Sequence, residues 1–346
     1  MASDDCAPFE NRRTSVPKME MAVTLRVTGI LAALTLLLAS VACVPMPITS
    51  ATHTPVPLAT ATALVPAAPT STGVPPSPTP EPPVAALVNG QPIYLADYER
   101  KLGQYEASLP AQGIDPNSPE GRKKMGWASD YILNVMIEQV LTEQAAVAAG
   151  VVVSDAEVDA YMQMVIDENG GEEAFRAKLA EWGETYEDAW QEVRAQLIGM
   201  AMTQRIVDSV PTVAEHVHAR HILVDTPQEA ERILAQLQAG ADFAALAQAY
   251  SQDTSTRASG GDLGFFPRGI LVAPEVEEAA FALQPGQFSG VVTSALGYHI
   301  VQVIERDPAR PISPENLRIL QDRAIQKWIE DLWAQADVQR FVETSP

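Results

Sequence analysis

Residues 218–224 read HARHILV, and residues 260–269 read GGDLGFFPRG. The first run predicts a β-strand that carries histidines, and helical patterns follow it over residues 227–237 and 242–250. Another helix is expected over residues 277–283, before two apolar runs at 288–292 and 297–304. Strands and helices are thus mixed within one segment, and we expect an α+β domain here.

This segment resembles a known family in several separate strings. RHILV, DFAALAQAYS, GGDLGFFPRG, EEAAFALQPGQFSGVV and GYHIVQV occur in the order and at the spacing found in parvulin-type prolyl isomerases. The resemblance covers residues 213–307 and implies a four-stranded antiparallel sheet wrapped by four helices. It also implies an enzyme that isomerises Xaa-Pro peptide bonds and needs no cofactor.

The resemblance further implies two groups of site residues. The first group is polar. His221 and His299 would be the paired histidines at the base of the site, and Asp253 would lie near the twisting bond. Ser294 would hydrogen-bond within the histidine cluster. An apolar wall around the substrate proline would consist of Leu263, Leu271, Val276 and Phe281. Val276 stands where the family usually has a phenylalanine, and the run over 270–275 is one residue longer than the family pattern.

The chemistry explains why such residues suffice. Rotation about an Xaa-Pro bond has a barrier of about 18–20 kcal/mol and takes tens of seconds or longer without a catalyst. A protein can accelerate it by holding the proline ring in an apolar pocket and stabilising the twisted amide. Each tenfold gain in rate needs only about 1.4 kcal/mol of differential binding.

The histidines allow other interpretations. Two histidines on strands are also compatible with a hydrogen-bonded pair in the core. His216, His218 and His221 together suggest a metal site. Side chains two positions apart on a strand share a face and those three apart do not, so no regular strand brings all three to one ion. We expect no metal.

The start of the chain predicts an export signal. Residues 27–42 read VTGILAALTLLLASVA, an uncharged run preceded by Lys18 and Arg26. A basic start, a short apolar stretch and small residues at its end are typical of a secretory signal peptide. An uncleaved anchor is the alternative, although the run is shorter than the roughly 20 residues of a membrane span. Met1, Met19 and Met21 are alternative translation starts, because Asp4, Asp5 and Glu10 are untypical of the first residues of a signal peptide.

The run ends in a sequence that resembles a bacterial lipobox, Ser40-Val41-Ala42-Cys43. This resemblance implies that residues 1–43 form a signal peptide with a lipobox, and that Cys43 is lipidated and becomes the mature N-terminus. Residues 44–83 then contain 12 prolines and eight threonines. Such a composition predicts a disordered, extended tether with a reach of roughly 120 Å at about 3.1 Å per residue.

Residues 84–210 are predicted to form a helical domain. Asn89-Gly90 between two apolar runs indicates a β-hairpin. A long helix should begin at Ser118-Pro119 and extend to about Ala149. Its inner face is expected to contain Met125, Ile132, Met136, Gln139 and Val140. Capping boxes at Ser154–Glu157 and Thr185–Asp188 indicate two further helix starts.

A last amphipathic helix is expected after Ser313-Pro314. Its apolar stripe contains Leu317, Leu320, Ala324, Trp328 and Leu332. One helix cannot bury such a stripe alone, so we expect residues 313–343 to pack on the segment 84–210. The parvulin-like segment would then be inserted in a discontinuous helical domain, with Pro211 and residues 308–311 as junctions.

The charge of the chain restricts its partners. The formal net charge is −21, and residues 84–210 hold 21 acidic against nine basic side chains. No stretch of the sequence offers the basic stripe that phosphate neutralisation requires, so we expect no nucleic-acid partner. The two cysteines, Cys6 and Cys43, lie outside the segments predicted to fold, so we expect no disulfide framework.

With these features the whole chain is similar to PrsA-type extracytoplasmic foldases and, more distantly, to SurA chaperones. This resemblance implies a lipid-anchored isomerase and chaperone outside the cytoplasm, at the cell membrane. Its partners would be unfolded or partly folded secreted polypeptides that contain Xaa-Pro bonds. The alternative is a holdase chaperone with a weak or inactive parvulin domain, and a stalked adhesin or scaffold is a third hypothesis.

Overall fold

The structure, a computed structural model, describes residues 82–342. The expected signal peptide, Cys43 and nearly all of the expected tether lie outside these residues. Contacts divide the described chain into two units. The first contains residues 82–140, 153–195 and 336–342, and the second contains 141–152 and 196–335.

The first unit begins with a β-hairpin. Strands β1 (Val84–Val88) and β2 (Gln91–Tyr94) pair antiparallel across the predicted Asn89-Gly90 turn. Both turn residues have positive φ, +50° and +82°, as a two-residue hairpin loop requires. The sequence did not predict that a C-terminal strand, β7 (Val338–Arg340), would pair with the other edge of β1.

Five helices follow the hairpin, in the order α1 (Leu95–Ser108), α2 (Pro119–Ala148), α3 (Asp155–Glu168), α4 (Glu172–Trp182) and α5 (Tyr186–Ser209). Helices α2 and α5 contribute residues to both units. The predicted capping box is present at the start of α3, where the Ser154 hydroxyl and the Glu157 carboxylate each bond the other residue's backbone N–H. Thr185 and Asp188 form the same reciprocal bonds before α5.

The predicted inner face of α2 is wrong. Its buried apolar residues are Ala128, Leu133, Ile137, Leu141 and Ala146. The five expected residues are only half-buried, because apolar side chains occur around most of this helix and several phases of a helical stripe fit the sequence equally well.

The second unit contains the predicted four-stranded antiparallel sheet. Its strands are β3 (Val213–Val224), β4 (Asp262–Pro267), β5 (Val292–Ser294) and β6 (Gly297–Pro311), in the order β4-β3-β6-β5. Helices α6 (Pro227–Gln238) and α7 (Phe243–Tyr250) follow β3, and α8 (Pro274–Ala282) follows β4. The expected four helices are thus three α-helices and one short 3₁₀ helix, Arg257–Ser259.

Two hydrophobic clusters cover the two faces of this sheet. One joins residues of β3 and β6 to α6 and α7, and includes Ile222, Ile233, Phe243 and Ile300. The other joins the opposite face to α8; its buried members include Val217, Phe266, Val276, Phe281 and Val301. Side chains alternate between the two faces along β3. Even-numbered Ile222 and Val224 face α6 and α7, whereas odd-numbered Val217 and Ala219 face α8. His221 is therefore on the α8 side of the sheet.

The C-terminal segment differs in extent from the expectation. Strand β6 continues to Pro311 and pairs there with Val213, so residues 308–311 belong to the sheet rather than to a loop. The last helix, α9 (Pro314–Gln335), ends before residue 343, and β7 follows it. No helix among residues 82–342 combines the length and the apolar character that a membrane crossing requires.

Gly261, just before β4, is in close contact with β3. Its backbone has φ +82°, and a Cβ atom there would lie 2.0 Å from the carbonyl oxygen of His221. The Gly261 carbonyl also accepts a hydrogen bond from the His221 N–H at 2.9 Å. Glycine is therefore required both by the backbone conformation and by the space available.

We predict that Gly261→Ala lowers the free energy of unfolding by about 3 kcal/mol, because left-handed strain adds to a backbone clash. Gly286→Ala is the matched control: its φ is +87°, but its Cβ would meet no atom within 4 Å. The control should lose only about 1 kcal/mol. Urea unfolding followed by circular dichroism measures both, and equal losses would contradict the argument.

Candidate active site

The two predicted histidines lie on the two central strands of the sheet. In the register of β3 and β6, His299 lies opposite Leu223 and His221 opposite Val301. The Nδ1 atoms of His221 and His299 are 3.3 Å apart, and their rings are stacked with centroids 5.4 Å apart. Both side chains are buried, with His299 only 1% exposed.

Asp253 lies beyond the end of α7 and contacts His221. Its Oδ2 is 2.7 Å from Nε2 of that ring and accepts a hydrogen bond from the Thr256 hydroxyl at 2.5 Å. Its Oδ1 accepts from the backbone N–H of Ser255 at 3.0 Å and from the Ser255 hydroxyl at 2.5 Å. Burial opposes ionisation of this carboxyl, but the hydrogen bonds from Ser255, Thr256 and His221 outweigh it and hold its pKa well below its usual range.

Ser294 completes the polar group from the end of β5. Its Oγ is 2.8 Å from Nε2 of His299 and accepts a hydrogen bond from the backbone N–H of Leu296 at 3.0 Å. The four residues proposed from sequence therefore form one continuous chain of contacts, from Asp253 through His221 and His299 to Ser294.

The polarity of this chain follows from its ends. Asp253 is a carboxylate at neutral pH, so Nε2–H of His221 donates to it. When the His221 ring carries this one proton, its Nδ1 is an acceptor, and the facing Nδ1–H of His299 donates to it. The remaining Nε2 of His299 then accepts a hydrogen bond from the Ser294 hydroxyl. Every hydrogen bond in the chain then points toward Asp253.

The neutral state of His299 has a clear cause. Burial, followed by the neighbouring His221, lowers the pKa of His299 to about 4, from an ordinary value of 6.5. Near neutral pH the ring is therefore uncharged, and the chain does not place two imidazolium ions against each other.

The four residues of the expected apolar wall belong to the cluster on the α8 side of the sheet. Val276 and Phe281 are buried, at 2% and 4% exposure. Leu263 and Leu271 are only partly buried and pack against that cluster. One face of the Phe281 ring is also covered by the Arg268 guanidinium, 4.1 Å from its centroid. Leu263 and Leu271 therefore offer most of the wall's accessible surface.

Three residues that support the site were not identified from sequence. Ser255 and Thr256 bond the Asp253 carboxylate, and the run Asp253-Thr254-Ser255-Thr256 contains the Asp and Ser/Thr residues typical of side-chain-capped turns. Glu277 accepts three backbone N–H bonds from the loop before α8. Its partners lie in an irregular loop, so no pattern in the sequence indicated them.

The other histidines of β3 lie away from this group. The His216 ring donates to the Ala214 carbonyl, and Nε2 of His218 is 2.8 Å from Asp262 Oδ1. Within residues 82–342 no group of three or more His, Cys, Asp or Glu side chains is placed to hold a metal ion.

Comparison with protein families gives two matches. A model of the PPIC-type PPIase domain matches residues 220–305, which contain the paired histidines. A model of the SurA-like N-terminal domain matches residues 60–205. The first match thus covers the segment of mixed strands and helices, and the second covers the mainly helical segment before it.

Individual relatives extend the similarity. The foldase protein PrsA of Caldanaerobacter subterraneus subsp. tengcongensis is 32% identical over 238 residues, which cover 63% of this chain and 72% of the relative. The chaperone SurA of Hahella chejuensis is 27% identical over 72% of this chain and 65% of its own length. A crystal structure of PrsA from Bacillus anthracis is 29% identical and covers 57% of this chain and 97% of the other, with a TM-score of 0.37.

The antiparallel sheet and the family match define a parvulin-type peptidyl-prolyl isomerase domain. An isomerase domain joined to a SurA-like domain makes the protein both an isomerase and a chaperone. The chain belongs to the PrsA foldase family.

We predict that the neutral, buried His299 makes stability depend on pH. The unfolded ring binds a proton below about pH 6.5, whereas the folded ring binds one only below about pH 4. The contribution of neutral His299 to the free energy of unfolding is therefore fully present above pH 6.5 and is lost as the pH falls toward 4. This single group should remove about 2 kcal/mol between pH 7.5 and pH 5.

The test compares urea unfolding of the wild type with His299→Gln, which cannot titrate. The variant should lose less stability over that pH range. His218→Gln, a change on the same sheet outside the chain of contacts, is the control and should behave as wild type. A His299 ring that titrates near pH 6.5 by NMR would refute the assignment.

Proposed function

We propose that His221, Asp253, Ser294 and His299 are the polar catalytic group of the isomerase domain, and that Leu263, Leu271, Val276 and Phe281 form its proline-binding wall. The observation that supports this most is the continuous chain of contacts from Asp253 to Ser294 across the two central strands. It lies on the same side of the sheet as the apolar cluster that contains the wall.

Such a site accelerates rotation without forming a covalent bond. In the twisted amide the nitrogen regains its lone pair and the conjugation with the carbonyl is lost. An apolar wall holds the proline ring while the rest of the peptide turns. The hydrogen-bonded imidazoles provide a preorganised polar group beneath the bond, which costs no reorganisation during the reaction.

Asp253 acts within this site through His221. Both carboxylate oxygens already accept hydrogen bonds from Ser255, Thr256 and His221. Because its pKa is held low, Asp253 does not supply a proton at neutral pH. We assign it the role of fixing the tautomer and orientation of His221.

We predict that His221→Ala and Asp253→Ala each lower kcat/KM for an Xaa-Pro peptide about tenfold or more, a loss of about 1.4 kcal/mol of transition-state stabilisation. The matched controls are His218→Ala and Asp262→Asn, a second His–Asp pair that joins β3 to β4 at 2.8 Å. The controls should stay within about twofold of wild type. Exchange NMR on the peptide measures all four variants.

The alternative function predicts a different result. If the folded wild-type chain leaves the peptide at its uncatalysed rate, the protein is a holdase whose isomerase domain is inactive. In that case it should still slow the aggregation of an unfolded client. Buried Val276, in place of the family's phenylalanine, is the observation that favours this alternative.

We further propose that residues 84–210 together with 313–343 form one chaperone domain that holds unfolded secreted polypeptides, with the isomerase segment 213–307 inserted in it. The support is the SurA-like match over residues 60–205 and the pairing of β7 with β1, which joins the two ends of the described chain. Proline-containing segments held by such a domain would meet the isomerase at high effective concentration.

We propose that the protein is exported and anchored to the outer face of the cell membrane by lipid on Cys43. The support is the apolar run over residues 27–42 that ends in small residues before this cysteine. Residues 44–83 would then act as the tether between the membrane and the folded units.

We predict that mass spectrometry of the membrane-extracted protein finds a mature chain that begins at a diacylated Cys43. Cys43→Ser should release the protein from the membrane fraction or leave the signal peptide uncleaved. Cys6→Ser is the control and should change neither. An unmodified Cys43 within a longer mature chain would contradict the proposal.

A further inference from the structure

The loop between β4 and α8 carries Leu271, one of the two accessible residues of the proposed proline wall. Three successive N–H groups of this loop point at one carboxylate, that of Glu277. Oε1 accepts from Gly269 at 2.7 Å, and Oε2 accepts from Ile270 at 3.0 Å and from Leu271 at 3.1 Å. Charge-assisted bonds of this kind are about twice as strong as neutral ones.

The backbone carbonyl groups of the same loop are bound by a side chain of helix α9. The Arg323 guanidinium donates to the carbonyl oxygens of Gly269 and, at 3.3 Å, of Ile270. The Leu320 side chain of α9 packs so closely that a Cβ on Gly269 would lie 2.8 Å from it. The loop is therefore fixed through its N–H groups by α8 and through its carbonyls by α9.

These contacts replace the regular hydrogen bonds that the loop lacks. Residues 268–273 lie outside the named strands and helices, and the neighbouring Val272 is 82% exposed. An irregular, exposed segment is normally among the more mobile parts of a fold. A wall residue on such a segment binds substrate well only if its position is set before binding.

We propose that Glu277 and Arg323 are positioning residues for substrate binding, and that α9 sets the affinity of the isomerase for its proline by holding the Leu271 loop. Helix α9 lies outside residues 220–305, which the isomerase family model matches. This inference depends on the proposed function of the wall. It adds a specificity element that the isomerase domain alone does not contain.

The two residues should contribute unequally. In Glu277→Gln one oxygen becomes an NH₂ group, which faces an N–H donor in either orientation of the amide. We expect this substitution to raise KM about tenfold. Arg323 is exposed, where solvent weakens charge contacts, so Arg323→Ala should raise KM only about threefold. Because Leu271 contacts the ring before and during rotation, kcat should change less than about twofold.

The test measures KM and kcat of the full chain by exchange NMR at increasing concentrations of an Xaa-Pro peptide. Glu278→Gln and Arg318→Ala are matched controls, an exposed glutamate beside Glu277 and an exposed arginine on α9. Both should have wild-type KM. Arg323→Lys keeps the charge but has a single donor nitrogen in place of the guanidinium fork, and its KM should lie between those of Arg323→Ala and wild type.

Hydrogen–deuterium exchange gives a second readout that does not require activity. The amides of residues 269–271 should exchange faster in Glu277→Gln and Arg323→Ala than in either control. A purely structural role would lower the melting temperature and the active fraction, and thus the apparent kcat, without changing KM.

The outcomes are distinct. An active wild type whose KM is unchanged by both substitutions overturns this inference and leaves the isomerase assignment intact. A wild type without isomerase activity overturns the proposed function and, with it, the effect on KM. Faster loop exchange together with a higher KM and an unchanged kcat supports the inference.

Discussion

The pairing of β3 with β6 is the constraint on which the site depends. Their register places His221 and His299 two residue pairs apart on adjacent strands and on the same face of the sheet, where the two rings stack and share a hydrogen bond. A slip of one residue would turn either side chain to the other face of the sheet. Ser294 reaches His299 through the adjoining β5–β6 pairing, and Gly261 links His221 to the start of β4. The strands therefore fix His221, His299 and Ser294, whereas Asp253 is held by Ser255 and Thr256 of the loop after α7.

Much of the fold followed from the sequence because its signals are local. The Asn89-Gly90 turn, the capping box at Ser154 and the strand over 218–224 each depend on a few neighbouring residues, and each was found. The four-stranded antiparallel sheet was predicted from the order of the family-like sequence motifs in the isomerase segment. The four polar site residues came from that resemblance, and the structure brings them into contact.

The features that were missed depend on tertiary contacts. The buried face of α2 could not be chosen, since apolar residues occur on several of its sides and only its neighbours decide which become buried. The pairing of β7 with β1 joins residues far apart in the chain, and three residues of β-strand leave little local signal. Glu277 and Arg323 bind backbone groups of an irregular loop. Every residue has the same backbone groups, so the sequence does not indicate which of them will accept or donate such a bond.

The three-stranded sheet of the first unit has a mechanical consequence. Strand β1 enters directly from Pro82-Pro83 and is hydrogen-bonded on both sides, by β2 and by β7. A force transmitted along the preceding chain would therefore load β1 against two antiparallel neighbours, with their hydrogen bonds lying across the direction of pull. Such bonds share a shear load and break together, whereas an edge strand would peel away one bond at a time. A protein held by its N-terminal end while a client pulls on it would thus resist unfolding at the point where the tension enters.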